Sequence, residues 1–419
     1  MQLRKPIILY ITPVLQHPPA GGPALRIENS IKALAQIAEL HLYSRVTLKD
    51  MGGNAALAFF RRQCHSVHMG TRIDPISRSS AWLRRGINKI ARHTIGREVL
   101  QAEDFGRILQ TAKAVRADVI WLGYGNISYP LLRYIKEHSS YLVVVDTDSV
   151  WSRYLLRGLP YASSSEERQS IQASGIAKEE EERWGTQLAD VTTAVSEPDA
   201  DYYRGLAPDT SRVHLFSNVI DLDTYANVPN PTPVLRRPCI YLAGTFWPGS
   251  PMEHAARWVI EQVLPHVRQA QPNLHLYIVG KNSNLVLKDI TDPKITVTGA
   301  LPSVLPYLCY TDVALVPLWF ESGTRFKILE AGACGIPVVS TMLGAEGITV
   351  RHGHNILIAD TPEGFATEIL TILSDRQLAK RLGSNLKELV AAHYSLSALM
   401  VEGQHILDYV ADLKRQRNT

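Results

Sequence analysis

Apolar runs of strand length recur along this chain, among them Ile7–Ile11, Leu40–Tyr43, Val119–Leu122, Leu142–Val145, Cys239–Ala243, Leu274–Val279, Val313–Pro317 and Pro337–Ser340. Most are continuous rather than alternating apolar with polar, with one histidine each inside Leu40–Tyr43 and Leu274–Val279. A sheet with one wet face imposes a period of two, whereas a strand covered on both faces favours a near-continuous apolar run. Strands covered on both faces belong to parallel sheets clad by helices. The intervening stretches are long enough for the crossover helices such sheets need. The predicted class is α/β, with doubly wound parallel sheets.

At 419 residues the chain exceeds one ordinary core. Asn227–Pro238 holds four prolines in twelve residues, a composition that continues neither a helix nor a central strand. The expected organisation is a Rossmann-like domain over 1–226, a linker over 227–238, a second Rossmann-like domain over 239–396 and a terminal helix over 397–419. Arg4 and Lys5 precede an apolar stretch that soon meets Pro13, so it is expected to be a first strand rather than a signal peptide. No apolar run approaches the ~20 residues that span a bilayer. Cys64, Cys239, Cys309 and Cys334 have no C-x-x-C spacing, which argues against a zinc ribbon or a disulfide framework and for a reducing cytoplasm.

Charge is uneven. Between Arg61 and Arg116 twelve Arg and Lys face four acids, a net of +8, while the whole chain carries +4. Leu83, Ile87, Ile90 and Thr94 fall at helical spacing there, with Arg84, Arg85, Lys89 and Arg92 on other faces and Trp82 beside them. Two readings stand: an ordinary surface helix, or a patch for an anionic lipid surface. The acidic run Glu179–Glu182, inside a helical stretch Ser163–Gln187, is expected to be a solvated face.

Several motifs are absent. Gly244-Thr-Phe-Trp-Pro-Gly249-Ser250 has the glycine spacing of a phosphate loop without its lysine, and Gly123-Tyr-Gly125 lacks a third glycine and is expected to be a turn. Asp312–Gly347 is more informative: strand Asp312–Leu318, loop Trp319–Thr324, helix Arg325–Cys334 and strand Pro337–Thr341, with Gly335 as the helix stop. Glu321-Ser322-Gly323-Thr324 leads into a helix whose first turn carries Arg325 and Lys327. Free amides, a positive dipole end and two cations suit an anion, a diphosphate above all. Lys327, Glu330 and Cys334 share one helical face, where an exposed Lys/Glu pair is the bland alternative. Asp146-Thr-Asp148 ends the Leu142–Val145 strand, where open α/β sheets place ligands. One of these carboxylates can orient or deprotonate a hydroxyl, or the pair is a structural turn.

The stretch Pro317-Leu-Trp-Phe-Glu-Ser-Gly-Thr-Arg-Phe-Lys-Ile-Leu-Glu330, followed by a small-residue helix and Pro337-Val-Val, resembles the donor-site segment of retaining glycosyltransferases of the GT-B fold, group 1 or family 4 type. Other stretches fall in that family's order: Pro13–Arg26 with Gly21-Gly22, Ala194–Asp199, Ser217–Asp221, Leu242–Phe246, Tyr277–Lys281 and Val297–Ala300. The resemblance implies two Rossmann-like domains facing a cleft, the first binding acceptor and the second donor, with a last helix able to cross back to the first. It implies transfer of a sugar from a nucleoside diphosphate sugar to a hydroxyl of a glycan or lipid-linked glycan, with retention. Glu330 corresponds to the glutamate that holds the ribose hydroxyls, Gly299, Ala300 and Leu301 to the backbone that meets the base, and Gly21 and Gly22 to the loop facing the diphosphate. Gly244, Thr245, Gly280 and Lys281 complete the expected donor set with Glu321, Ser322, Gly323 and Thr324.

This chain departs from the family at three places. Ser322 stands where the family has its first glutamate, with Glu321 one place early; Thr245–Met252 carries no basic pair; and the Tyr124–Asn126 loop lacks a histidine. A Gly-x-Arg-x-Lys loop suggests that Arg325 and Lys327 take the phosphate, so that cations and amides serve without metal or cofactor. Asp146-Thr-Asp148 also resembles the metal-binding D-x-D of the other glycosyltransferase fold, which the rest of the chain does not match. The expected partners are the donor, the acceptor and an anionic membrane surface through Arg84, Arg85, Lys89 and Arg92, with no nucleic acid. The expected location is the cytoplasm, on the inner face of the membrane. A silent nucleotide- or glycan-binding subunit and a nucleotide-sugar epimerase of the same fold remain open as alternatives.

Overall fold

The computed structural model describes residues 4–70, 102–232 and 234–418. The basic helical stretch around Arg84, Arg85, Lys89 and Arg92 lies outside them. The chain divides into two compact units, Met1–Asn218 with Leu396–Thr419, and Val219–Ser395.

The first unit is built on seven strands: β1 (Ile7–Thr12), β2 (Glu39–Ser44), β3 (Ser66–Met69), β4 (Val119–Gly123), β5 (Leu142–Asp146), β6 (Val191–Ala194) and β7 (Val213–Leu215). Their spatial order is 3-2-1-4-5-6-7, and every pairing is parallel. The expected apolar runs became its central strands, each fully buried: β1, β4 and β5 contain no exposed residue. The order reverses direction between β1 and β4, and open sheets of this kind bind ligands beyond the carboxyl ends at that point.

The second unit has six strands, β8 (Cys239–Ala243), β9 (His275–Val279), β10 (Ile295–Val297), β11 (Val313–Val316), β12 (Val338–Ser340) and β13 (Leu357–Ile358), in the order 10-9-8-11-12-13. All are parallel, and the reversal falls between β8 and β11. The proline-rich stretch is strapped to this unit: the Tyr310 hydroxyl donates to the Val228 carbonyl (2.7 Å), Arg236 N donates to the Tyr277 hydroxyl (2.8 Å), and Arg237 pairs with Asp312.

The last helix, Leu396–Asn418, belongs to the first unit, where it packs along helix Gly22–Ile37. Glu402 accepts from Ser217 N and Oγ (2.6 and 2.8 Å), and Lys414 Nζ donates to Asp118 (2.6 Å). Among the described residues no helix is long and apolar enough to cross a membrane.

One expectation is corrected here. In helix Ser165–Leu188, Glu179, Glu180 and Glu181 face outward to varying degrees, but Glu182 is fully buried. Its carboxylate accepts from the amides of Trp151 and Ser152 (2.8 and 3.2 Å), from Ser152 Oγ (2.5 Å) and from the Tyr202 hydroxyl (2.8 Å). It caps helix Trp151–Arg157, which has no side-chain cap from its own N-terminal residue. Four consecutive helical positions span 300°, so a run of four acids cannot keep every member in water.

Candidate active site

At the carboxyl edge of the first sheet, Gly21 sits at φ +93° as the N-terminal neighbour of helix Gly22–Ile37, which has Pro in its first turn and no side-chain cap. One turn in, Arg26 reaches inward instead of out. Its guanidinium pairs with Asp146, the last residue of β5, and donates to Asn218 Oδ1 (2.8 Å) and to the carbonyls of Thr147 (3.0 Å) and Phe216 (3.1 Å). Thr193 Oγ1 adds a bond to the same Asp146 oxygen (2.8 Å). Arg26 is 2% exposed and Asp146 0%. Asp146 therefore holds the ends of β5 and β6 to the first helix and offers no surface to an acceptor hydroxyl.

Asp148 is placed differently. Only half-buried, it accepts from Trp151 Nε1 (3.0 Å) and Tyr124, while its amide donates to Asn126 Oδ1 (2.9 Å). Burial pushes its carboxyl up to about 6, against the lowering pull of Arg26 and of the Trp151 and Tyr124 hydrogen bonds. The loop after Gly123 is a single 3₁₀ turn, Gly125–Ile127, entered through Tyr124 at φ +64°, a turn as the sequence suggests. Asn126 is fully buried and ties the turn to Ser149 O (2.8 Å) and the Tyr203 hydroxyl (3.2 Å). Two carboxylates two residues apart thus have opposite environments, one paired and sealed, the other open with a pKa suited to proton transfer near neutrality.

In the second unit the expected residues converge on the carboxyl edge of its sheet. Gly244 follows β8, Gly280 and Lys281 follow β9, and Gly299, Ala300 and Leu301 follow β10. Their backbones are stitched together: Gly244 N donates to Val279 O (3.0 Å), Gly280 N to Gly299 O (3.1 Å) and Phe246 N to Lys281 O (2.9 Å). Gly280 has φ +133°, and a Cβ there would lie 1.9 Å from the Gly244 carbonyl oxygen, so no side chain fits this junction. Thr245 and Lys281 are exposed at the same edge. The false phosphate loop is a helix start, with Ser250 Oγ accepting from Glu253 N (3.0 Å).

Beyond β11 the loop Glu321–Arg325 enters helix Phe326–Ala333, which has no side-chain cap and no acid in its first turn. Its two cations differ. Arg325 is 3% exposed, and its guanidinium donates to the carbonyls of Gly323 and Leu343, the latter at 3.2 Å. It fastens the loop. Lys327 is half-buried and makes no hydrogen bond among the described residues. Burial lowers its pKa, opposed by the fields of Glu321 and Glu330. Glu330 lies one turn on, its carboxyl raised by burial, accepting from the Tyr225 hydroxyl (3.2 Å). Behind it Cys309 Sγ and Cys334 Sγ, both free thiols, touch at 2.7 Å. The structure thus brings Glu321, Ser322, Gly323, Thr324, Lys327 and Glu330 together around one helix start. Arg26, Asn126, Trp151 and Tyr225 are the contributors that sequence reasoning missed.

A family model described as "Glycosyl transferases group 1" matches residues 237–375, the part of the chain that carries the Lys327 and Glu330 site. A D-inositol 3-phosphate glycosyltransferase of Streptomyces bingchenggensis (strain BCW-1) is 35% identical over 86 residues, which span 20% of this chain and 18% of that relative. Among solved structures, Anabaena HepE in complex with UDP and glucose superposes with a TM-score of 0.65 at 14% identity, covering 96% of this chain and 99% of that one. Sucrose-phosphate synthase of Thermosynechococcus elongatus does so with a TM-score of 0.68 at 17% identity, covering 98% and 100%. The two parallel-sheet Rossmann-like units form the GT-B fold.

Proposed function

We propose that this protein is a glycosyltransferase that moves a sugar from a nucleoside diphosphate sugar to a hydroxyl of a glycan or lipid-linked glycan, with retention. The observation that carries the proposal is the Lys327 ammonium, without a hydrogen-bond partner among the described residues, on the first turn of an uncapped helix and flanked by Glu330. A departing nucleoside diphosphate gains charge as the glycosidic bond breaks. A fixed cation and helix amides stabilise that charge without reorganising, and no metal is required for it. Glu330 then accepts from the ribose hydroxyls, and the Gly299–Leu301 backbone meets the base. The neighbour solved with UDP and glucose supports a nucleoside diphosphate sugar as donor. The basic segment holding Arg84, Arg85, Lys89 and Arg92 stays, as a reading of the sequence alone, the face for an anionic membrane on the cytoplasmic side.

The direct test is incubation with a panel of nucleoside diphosphate sugars, following nucleoside diphosphate release. Slow release without acceptor, faster with a glycan acceptor and undiminished by excess EDTA well below the melting temperature, is expected. Release of nothing from any donor that binds would favour a silent subunit, and interconverted free nucleotide sugars would favour an epimerase.

Asp148 is proposed as the group that orients or deprotonates the acceptor hydroxyl. The rate should therefore fall as pH drops through about 6, and Asp148→Asn should remove that limb together with most of the turnover. Its stability effect has the opposite sign. A carboxyl raised above its unfolded value binds its proton more tightly when folded, so it costs stability once pH exceeds that value. Asp148→Asn should accordingly melt no lower than the parent at pH 7. A lower melting temperature together with an unchanged pH profile would make Asp148 a structural residue.

Glu330→Gln should raise the donor Michaelis constant, because an amide is a poorer acceptor for two hydroxyls than a carboxylate. The substitution removes a buried charge, so folding should survive it. Normal donor binding in a variant that melts early would refute the ribose role.

A further inference from the structure

At the amino ends of β2 and β3, on the edge of the first sheet away from Asp148, three side chains converge. Glu39 opens β2, His41 follows on the same face, and His65 lies in the turn between helix Gly53–Gln63 and β3. His41 Nε2 stands 3.2 Å from Glu39 Oε1, His65 Nε2 stands 3.8 Å from the same oxygen, and one ligand atom from each residue falls within 4.8 Å of the others.

We propose that Glu39, His41 and His65 bind a divalent transition metal, zinc being the best match, as a clip between β2 and the turn into β3. Two imidazoles and a carboxylate are a zinc set, and bond lengths of about 2.0–2.1 Å in a tetrahedron set donor atoms roughly 3.3 Å apart. The His41–Glu39 pair already has that spacing. His65 must close by a fraction of an ångström to reach Glu39 and somewhat more to reach His41, and its ring, 63% exposed, is free to do so. His41 is 5% exposed and oriented from behind: its Nδ1 bonds Ser66 Oγ (2.7 Å), and Ser66 Oγ in turn bonds His68 Nε2 (2.7 Å). That outer contact leaves Nε2 as the ligand atom, the arrangement that metal-bound histidines generally have. Water fills the fourth position. The site lies at the opposite end of the strands from the carboxyl edge, so its role is to fasten the sheet edge and it takes no part in transfer.

The test uses the full chain without a histidine tag. Titration with zinc should give one site per chain and raise the melting temperature, and cobalt should give the intense visible absorption of a four-coordinate ion. His65→Asn, at an exposed position that does not threaten the fold, should weaken binding by at least about a hundredfold, and His68→Asn by roughly tenfold through loss of the outer contact. Glycosyl transfer should be unchanged in both variants, which separates this proposal from the donor-site reading. Zinc binding that survives His65→Asn at full stoichiometry, a six-coordinate cobalt spectrum, or no binding to the parent would each overturn it.

Discussion

Lys327→Ala should lower turnover by on the order of a hundredfold, the scale of losing one preorganised charge contact to a developing anion. Donor binding should weaken with it, as read by calorimetry with the nucleoside diphosphate alone. Arg325 stands two residues earlier, at the end of the loop that leads into the helix, yet its replacement should read out differently. Its guanidinium is committed to the Gly323 and Leu343 carbonyls, so Arg325→Ala should lower the melting temperature along with the rate. The ammonium adds a pH signature. Because burial lowers its pKa, Lys327 loses its charge earlier on the alkaline side than an ordinary lysine does. Nucleoside diphosphate affinity should decline there in the parent, and the decline should vanish in Lys327→Arg, whose charge does not titrate. Parental turnover in Lys327→Ala would remove the donor-site assignment.

The difference between these two cations shows where sequence reading stops. The strand, loop, helix and strand over Asp312–Thr341 are legible because every cue is local: a continuous apolar run, an uncapped entry, a glycine stop and a proline. Which cation faces outward depends on Leu343, in the loop after β12, whose carbonyl captures Arg325 from across the site. The same holds for Arg26 and Asp146, 120 positions apart, and for Tyr225 and Glu330, 105 apart. Pairings at that separation leave no mark in a single sequence. Among strands, the continuous apolar runs of β1, β4, β5 and β8 declare themselves, as does β9, which is apolar after His275. The named runs did not include β3, β6, β7, β10 or β13; β3 (Ser-Val-His-Met) and β10 (Ile-Thr-Val) are edge strands with every residue only half-buried, and β6 (Val-Thr-Thr-Ala) is buried but carries two threonines in place of an apolar run. Edge position also explains why the Glu39, His41 and His65 cluster escapes sequence: its ligands lie on two segments separated by a whole helix, without the short spacing that marks zinc motifs.

Arg26→Met should destabilise the first unit by about 3–5 kcal/mol, the cost of leaving one member of a buried ion pair uncompensated. The figure rests on geometry: Arg26 and Asp146 are 2% and 0% exposed, and the guanidinium also satisfies Asn218 Oδ1 and two carbonyls that have no water to turn to. Asp146→Asn should cost less, since the amide oxygen can still accept from Arg26 and Thr193, although the charge is lost. Removing both charges, as Arg26→Met with Asp146→Asn, should recover part of the loss, because the largest penalty is the lone buried carboxylate and not the missing attraction. Urea denaturation of the four proteins forms a double-mutant cycle, and amide exchange along β1, β5 and β6 places the loss at the sheet edge that the pair spans. The pair also reaches the site. Arg26 lowers the Asp148 carboxyl, so its removal should move the acid limb of the rate profile above about 6 even where the variant remains folded. A limb that stays in place while stability falls would mean that Arg26 acts on the fold alone. Additive losses around the cycle would mean that the two charges do not depend on each other, which their burial and contact forbid.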